Sequence, residues 1–300
     1  MQNYQIISRH SDINHLISGL HSEEFLAVGI MDTGTKQNLE EAIRWYTSNY
    51  NHNVHVITQA DRISTDELSS RYPDITLIVF DQSPSLAERV NALANACGTT
   101  YFYVTRSDVD LVDFNWAGVE QTMKQEPHPV VITPLIFNKD KELIPSVRAP
   151  KMNDQDIDPM SMLPGRGKDA TLYPFLGLGL YDRALFQRIR GYDEELESAY
   201  WQALDFGTRC WLYGFPIYSS SDLAIIFFAK QFLIEDRSET KNVKYYYTKA
   251  LCVRQHKGRI LIKKAYRTDK KYMNEKVKPR VGMYKTDFAS LCNNWVLPES

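Results

Sequence analysis

Short apolar runs alternate with helix-like stretches along the first half of this 300-residue chain. Five of these runs have the length and composition of buried strands, and they cover residues 25–31, 54–57, 75–80, 101–105 and 129–134. The stretches between them carry apolar residues at helical spacing, as at Leu39, Ile43 and either Tyr46 or Trp45. A repeated strand–helix–strand order predicts an α/β fold, with a mostly parallel sheet flanked by helices.

Two carboxylates directly follow the fourth apolar run. Asp108 and Asp110 come just after residues 101–105, and ligands of open α/β sheets collect at the carboxyl ends of strands. Two acids at such a place suit a hard divalent cation that bridges to a phosphate. The pattern therefore predicts a site for a phosphorylated ligand, with Mn²⁺ or Mg²⁺ held by Asp108 and Asp110.

The chain changes character after the fifth run. Residues 138–171 are polar and contain four prolines, so we interpret them as a functional loop or lid. Order then resumes, and we expect a strand at 176–181, helices at 183–189 and 199–213, and a buried strand within 223–229.

Charge is distributed unevenly along the sequence. Residues 230–300 hold 17 Lys and Arg against 7 Asp and Glu, whereas the rest of the chain holds 18 against 30. We expect one α/β domain over residues 1–229 and a basic, Tyr-rich, helical extension over residues 230–300. A basic surface favours an anionic partner such as membrane lipid, and a solvated basic helix without a partner is the alternative.

Cysteine usage and the N-terminal sequence bear on the compartment. Four cysteines lie far apart without a Cys-x-x-Cys pair, which predicts neither a zinc site nor a disulfide scaffold. The N-terminus does not resemble a signal peptide, and no run approaches the roughly 18 apolar residues that a membrane span needs. We expect a cytoplasmic protein without a nucleic-acid partner, and peripheral contact with the inner face of the membrane is a further expectation.

Four pieces of sequence occur in the order seen in a known family, at residues 25–46, 87–111, 177–194 and 200–209. The most specific piece is the third, which joins a Gly-rich strand to the turn Gly-Tyr-Asp-Glu at residues 191–194. Together the four pieces resemble the family-two glycosyltransferases over residues 25–228. The resemblance implies the GT-A fold and inverting transfer of a sugar from a nucleotide-diphosphate sugar.

The resemblance also implies roles for single residues. The last acid of the family's Asp-x-Asp motif, which holds the metal on the donor diphosphate, falls on Asp108. Asp110 is the expected second ligand, and Arg106 replaces the first acid of the motif, where an arginine can itself pair with phosphate. Contacts to the nucleotide sugar are expected from seven residues, namely Thr33, Asp61, Arg89, Asn91, Arg106, Gly177 and Trp201. For Trp201, packing in the core is the alternative to stacking on a sugar.

The chain departs from the family at the catalytic base. Inverting members carry a Glu-Asp pair where this chain has Gln202 and Ala203. Asp205 is our candidate for the base that takes the acceptor proton, and Glu197 is the second candidate. An ion pair between Asp205 and Arg209, one helical turn later, is the structural alternative.

Three functions follow from these patterns. The leading one is metal-assisted glycosyl transfer to a hydroxyl of a glycan or lipid-linked acceptor, in the synthesis of a polysaccharide or glycolipid. The second is a catalytically degenerate relative that binds a nucleotide sugar or glycan without turnover. The third, nucleotidyl transfer, is disfavoured because no Gly-rich loop bearing Arg and Lys follows the first strand.

Overall fold

A computed structural model of the protein describes residues 3–8, 25–49, 53–154, 156–165, 167–228, 235–238, 240–263 and 268–298. The strands within these ranges are β1 (Tyr4–Ser8), β2 (Leu26–Met31), β3 (Asn53–Gln59), β4 (Ile75–Phe80), β5 (Tyr101–Arg106), β6 (Val109–Phe114), β7 (Val131–Phe137), β8 (Val147–Ala149), β9 (Met152–Asn153), β10 (Asp156–Ile157), β11 (Met160–Met162), β12 (Lys168–Ala170), β13 (Gly179–Asp182), β14 (Ile217–Phe227), β15 (Val253–His256) and β16 (Arg259–Ile262). The α-helices are α1 (Lys36–Asn49), α2 (Thr65–Arg71), α3 (Leu86–Ala96), α4 (Trp116–Met123), α5 (Arg183–Ile189), α6 (Ala199–Leu212), α7 (Val243–Leu251), α8 (Lys270–Tyr272) and α9 (Phe288–Asn293).

A central sheet organises the molecule, with the strand order β1-β4-β3-β2-β5-β13-β7-β14-β12. Strands β4, β3, β2 and β5 run parallel to one another. Strand β13 is antiparallel to both β5 and β7, and β7 pairs with β14 in parallel. The predicted α/β fold is confirmed, and the carboxyl ends of β2, β3 and β5 lie side by side at one edge of the sheet.

The apolar composition of the strands explains why they lie inside. All six residues of β2 are buried, as are most residues of β3, β4 and β5. Helix α1 covers one face with Leu39, Ile43 and Tyr46, whereas Trp45, the predicted alternative to Tyr46, is exposed. Each large apolar side chain buried in this way contributes about 1.5–3 kcal/mol. The apolar runs therefore suffice to locate the centre of the sheet.

The predicted loop at residues 138–171 contains more structure than its composition indicates. It holds β8 to β12, of which β8 pairs with β11, β9 pairs with β10 and β12 pairs with β14. Val147, Arg148 and Ala149 are all buried. These strands have only two or three residues each, too few to produce a periodic pattern in the sequence.

The basic extension packs on the same core as the sheet. In α7, Val243, Tyr246 and Tyr247 are buried in one apolar cluster with Trp201 and Phe206 of α6. The predicted helices are present, and a hairpin of β15 and β16 was not predicted. The predicted boundary near residue 230 lies outside the described residues. No helix in the described ranges is long and apolar enough to cross a membrane.

Candidate functional site

Polar side chains converge where β2, β3 and β5 end. Asp32 and Thr33 follow β2, and Thr58 lies near the end of β3 with Arg62 just beyond it. Arg106 is the last residue of β5, and Ser107 and Asp108 follow it. The parallel register places Met31 opposite Ile57 on one side and opposite Arg106 on the other. Arg89, in the first turn of α3, lies beside this group and completes the donor cluster, as we call these eight residues.

One half of the donor cluster is organised around Asp32. Its side chain is only 2% exposed and accepts hydrogen bonds from Arg62 Nε at 2.8 Å and Arg62 Nη2 at 3.0 Å. Thr58 Oγ1 donates to the same carboxylate at 2.8 Å, and Arg62 Nη2 also donates to the Gly34 carbonyl at 2.6 Å. Asp32 is thus fully partnered and holds Arg62 at the edge of the sheet.

The other half is organised around Asp108. Arg106 Nε and Nη2 donate to its two carboxylate oxygens, each at 2.7 Å, and Thr33 Oγ1 donates to Oδ1 at 2.8 Å. Burial alone would raise the pKa of Asp108, but the hydrogen bonds and charge of Arg106, with the Thr33 hydrogen bond, lower that pKa overall. Asp108 is therefore ionised at neutral pH, with both of its oxygens engaged by Arg106.

Arg89 differs from the other two arginines because it has no carboxylate ion pair within the described part of the chain. Its Nε donates to the Pro84 carbonyl at 3.2 Å and its Nη1 to the Asp32 carbonyl at 3.5 Å. Burial lowers its pKa; attraction by Asp32 raises that pKa, and repulsion by Arg106 and Arg62 lowers it further. The charge of Glu88 also raises that pKa, so Arg89 is the guanidinium of this group that is attracted by carboxylates without a hydrogen bond to one in the described ranges.

These residues do not fit a metal centre. Among the residues that the structure describes, no three His, Cys, Asp or Glu side chains lie close enough together to hold an ion. Both oxygens of Asp108 are bonded to Arg106. Asp110 is an exposed residue, and partial desolvation of its carboxyl group and the charge of Glu41 raise its pKa. These contacts count against Asp108 and Asp110 as the ligands of one metal ion, and that role remains a prediction.

Two of the residues predicted to contact the nucleotide sugar, Asp61 and Gly177, lie outside the donor cluster. Asp61 is exposed in the turn after β3, next to Arg62. Gly177 has a φ of 72°, and a Cβ there would lie 2.7 Å from Leu86 Cδ1 at the start of α3. Its contact is therefore a close approach of its backbone to α3, and donor contact at Asp61 and Gly177 remains a prediction.

Asn91 has a different role from the one expected. Its Nδ2 donates to the Tyr192 carbonyl at 3.0 Å and to Glu194 Oε1 at 2.8 Å, and its Oδ1 accepts from the Tyr192 amide at 3.0 Å. Asn91 thus holds the turn at residues 191–194 against α3. This corrects its prediction as a nucleotide-sugar contact.

Trp201 lies in the core. It is 4% exposed and packs on Tyr246 and Tyr247 of α7, while its Nε1 donates to the Ser238 carbonyl at 2.8 Å. This corrects the prediction that Trp201 stacks on a sugar. The alternative of core packing is confirmed.

Asp205 is also enclosed by protein. It is 1% exposed, accepts from Arg209 Nε at 2.8 Å and lies 2.6 Å from Lys249 Nζ. A carboxylate that is 1% exposed and held between two buried cations has no access to an acceptor hydroxyl. Asp205 is therefore structural, which corrects its prediction as the catalytic base and confirms the alternative pairing with Arg209.

Gln202 lies in α6, and Glu197 lies just before it. Gln202 is buried, accepts from the Ala87 amide at 2.9 Å and donates to the Leu196 carbonyl at 2.7 Å, so it ties α6 to the start of α3. Glu197 is exposed just before α6. Its role as a base remains a prediction.

A second polar group lies beside α6 and was not predicted. Arg148 of β8 pairs with Glu235 at 3.0 Å, and the Tyr173 hydroxyl donates to the same carboxylate at 3.0 Å. Tyr173 packs against Tyr200 on the helix face that also carries Ala203. No local pattern joins residues so distant in sequence, whereas Asp32 and Arg62 could have been found because each follows a predicted strand.

No protein-family model matches the chain, and no curated protein matches it by sequence. Among solved structures, the chain is similar to GalNAc-T7 crystallised with UDP, GalNAc and Mn²⁺, with a TM-score of 0.62 at 9% identity. That match covers 91% of this chain and 57% of GalNAc-T7. TarS of S. aureus matches with a TM-score of 0.49 at 13% identity, over 68% of this chain and 37% of that chain. The likeness to GalNAc-T7 confirms the predicted GT-A fold.

Proposed function

We propose that the protein is a glycosyltransferase that uses a nucleotide-diphosphate sugar, and that the donor diphosphate binds at the donor cluster. The observation that carries the proposal is the convergence of Arg62, Arg89 and Arg106 at the carboxyl ends of β2, β3 and β5. Ligands of open α/β sheets bind at this edge, and arginine forks match phosphate oxygens. The GT-A fold, shared with a protein crystallised with UDP and GalNAc, supports the same site.

The reaction is the attack of an acceptor hydroxyl oxygen on the anomeric carbon of the donor sugar. The bond from that carbon to the diphosphate oxygen breaks, the nucleoside diphosphate leaves with the electron pair, and a base takes the hydroxyl proton. The guanidinium groups of Arg89 and Arg106 stabilise the developing negative charge through hydrogen bonds and positive charge. Glu197 is the proposed base, inversion is the proposed outcome, and the acceptor is a glycan or lipid-linked hydroxyl.

Nucleotide binding and sugar transfer together test this proposal. In a thermal-shift panel of UDP, GDP, ADP and TDP, we expect at least one to raise the melting temperature, because a ligand at about 100 times its dissociation constant stabilises by about 2.7 kcal/mol. The matching sugar nucleotide should then be hydrolysed slowly or transferred to an acceptor extract. Nucleoside monophosphates serve as the control and should shift the temperature less. Absence of a shift with every diphosphate would contradict the proposal.

A degenerate relative without turnover is the second candidate, and Ala203 favours it. No carboxylate stands at this position, and Gln202 is used to join two helices. This candidate predicts a nucleotide-dependent thermal shift without release of nucleoside diphosphate from any sugar nucleotide. Loss of transfer in Glu197→Gln, with donor binding kept, would instead support the enzyme with Glu197 as its base.

A further inference from the structure

We infer that this protein binds the donor diphosphate through Arg106 and Arg89, with Arg106 taking the place that a divalent cation would hold on Asp108. The inference rests on the proposed function and specifies how the diphosphate is neutralised. Arg106 is then the counter-ion of the donor diphosphate, so nucleotide binding does not require added metal.

The contacts of Arg106 give the first line of support. Two parallel hydrogen bonds of 2.7 Å join it to Asp108, which is the bidentate geometry of the strongest ion pairs. The guanidinium also lies 5.4 Å from the centre of the Phe227 ring, and its side chain is 20% exposed. Arg106 is therefore held in one orientation while part of it remains open to a ligand.

Asp108 gives the second line of support. A cation would have to displace both hydrogen bonds from Arg106 and would still lack further protein carboxylates, since no three potential ligands cluster within the described ranges. Thr33 Oγ1 occupies Oδ1 as well. With Arg106 in place, the negative charge of Asp108 is cancelled and does not repel an incoming diphosphate.

The charge balance gives the third line. Arg62 is held by Asp32, and Arg106 by Asp108, whereas Arg89 donates only to two carbonyl oxygens. In the part of the chain that the structure describes, Arg89 is therefore the guanidinium of the cluster without a carboxylate hydrogen bond, and it lies in the first turn of α3, close enough to Arg106 for the two to repel. A polyanionic group that contacts both arginines relieves this repulsion, and arginine binds phosphate oxygens through two N–H groups at once.

Calorimetric titration with the nucleoside diphosphate that gives the largest thermal shift tests the inference. For the wild-type protein, we expect dissociation constants in EDTA and in Mn²⁺ to agree within about threefold, because the cation has no ready ligands. Arg106→Ala should bind at least about tenfold more weakly in EDTA, since a charge-assisted bidentate contact is lost. Mn²⁺ should strengthen binding to this variant, because Asp108 is then free to hold it.

Two further variants keep the test decisive. Arg89→Gln should also weaken binding about tenfold in EDTA, and it serves if Arg106→Ala does not fold. Arg71→Ala is the matched control, because Arg71 pairs with Glu40 and Glu67 on the surface and should bind as the wild type does. Each variant is checked for an unchanged melting temperature without ligand.

Two results would overturn the inference while leaving the proposed function intact. One is wild-type binding that EDTA weakens tenfold or more relative to Mn²⁺. The other is a folded Arg106→Ala or Arg89→Gln protein that binds in EDTA as tightly as the wild type. If no nucleoside diphosphate binds the wild-type protein in either buffer, the proposed function itself fails.

Discussion

Two carboxylates and two cations lie buried together between α6, α7 and the turn at residues 191–194. Lys249 contacts both Asp205 and Asp193, while Arg209 binds Asp205 and donates to the carbonyls of Ile189 and Gly191 at 2.8 Å and 2.7 Å. Burial would raise the pKa of Asp193, but Lys249 and the Tyr272 hydroxyl lower that pKa overall. The two negative and two positive charges balance one another, so removal of any one of them leaves a partner without its counter-charge.

The first prediction concerns Asp205→Asn. Removal of one member of a buried ion pair leaves the other uncompensated and costs about 3–5 kcal/mol of unfolding free energy. Urea denaturation followed by circular dichroism should therefore show a clearly lower midpoint. Glu67→Gln, which affects exposed pairs with Lys36 and Arg71, is the control and should cost less than about 1 kcal/mol. Equal midpoints for Asp205→Asn and the wild type would mean that the network is not structural.

The sequence predicted only part of this network. The spacing of Asp205 and Arg209 by four residues places them on one helix face, so their pairing could be read in advance. The contact with Lys249 depends on how α7 packs against α6, and no local pattern specifies that. The same holds for Arg106. The sequence shows that it lies two residues before Asp108, but it does not show the bidentate contact between the two side chains.

Whole elements were predicted best where apolar composition determines burial. The strands β2 to β5 are buried along most of their length and were located within one or two residues. Strand β6 was missed because only Val109 is fully buried and Asp110, Val112 and Asp113 are exposed. Strand β6 pairs with β14 once the sheet has assembled. Such a pairing does not require a clear hydrophobic pattern in the sequence of the strand.

Helix α6 is buried on nearly every side and depends on close backbone contact. At Gly207, an added Cβ would lie 2.1 Å from the Leu172 carbonyl oxygen and 2.5 Å from Tyr173 Cβ. The segment that follows β12 therefore rests directly on the helix. It also places the Tyr173 hydroxyl beside Glu235 and Arg148.

The second prediction concerns this contact. Gly207→Ala should lower the unfolding free energy by about 1–3 kcal/mol or more, because overpacking forces the backbone apart. It should also perturb the near-ultraviolet circular dichroism of the aromatic core. Gly98→Ala is the matched control, since nothing lies within 4 Å of a Cβ there. A Gly207→Ala protein as stable as the Gly98→Ala protein would show that the segment can move away freely.

At the scale of the whole molecule, some of the basic residues of the extension lie together on the β15–β16 hairpin. Strands β15 and β16 and their turn expose a group of cations together with two apolar side chains, namely Arg254, Lys257, Arg259, Leu261 and Ile262. Other cations of the extension are neutralised, such as Lys244 by Asp269 and Lys276 by Glu195. The predicted anionic partner, including a membrane surface, would therefore meet the hairpin.

The third prediction tests membrane contact. The protein should co-sediment with anionic liposomes at low salt, because each cation near the surface contributes about 1 kcal/mol. The combined change Arg254→Glu, Lys257→Glu and Arg259→Glu should abolish binding. Lys139→Glu with Lys151→Glu, two exposed positions outside the extension, should not. Binding that is equal on neutral liposomes would leave the hairpin as a solvated basic surface.

The position of Lys249 affects how the protein folds while it is being synthesised. Synthesis delivers α6, with Asp205 and the aromatic face of Trp201, well before α7 leaves the ribosome. Domains generally fold as they emerge, but here the earlier residues lack the cation for Asp193 and Asp205 and the cover for Trp201. The nascent sheet can form early, whereas α6 reaches its native packing only after α7 (Val243–Leu251) has emerged.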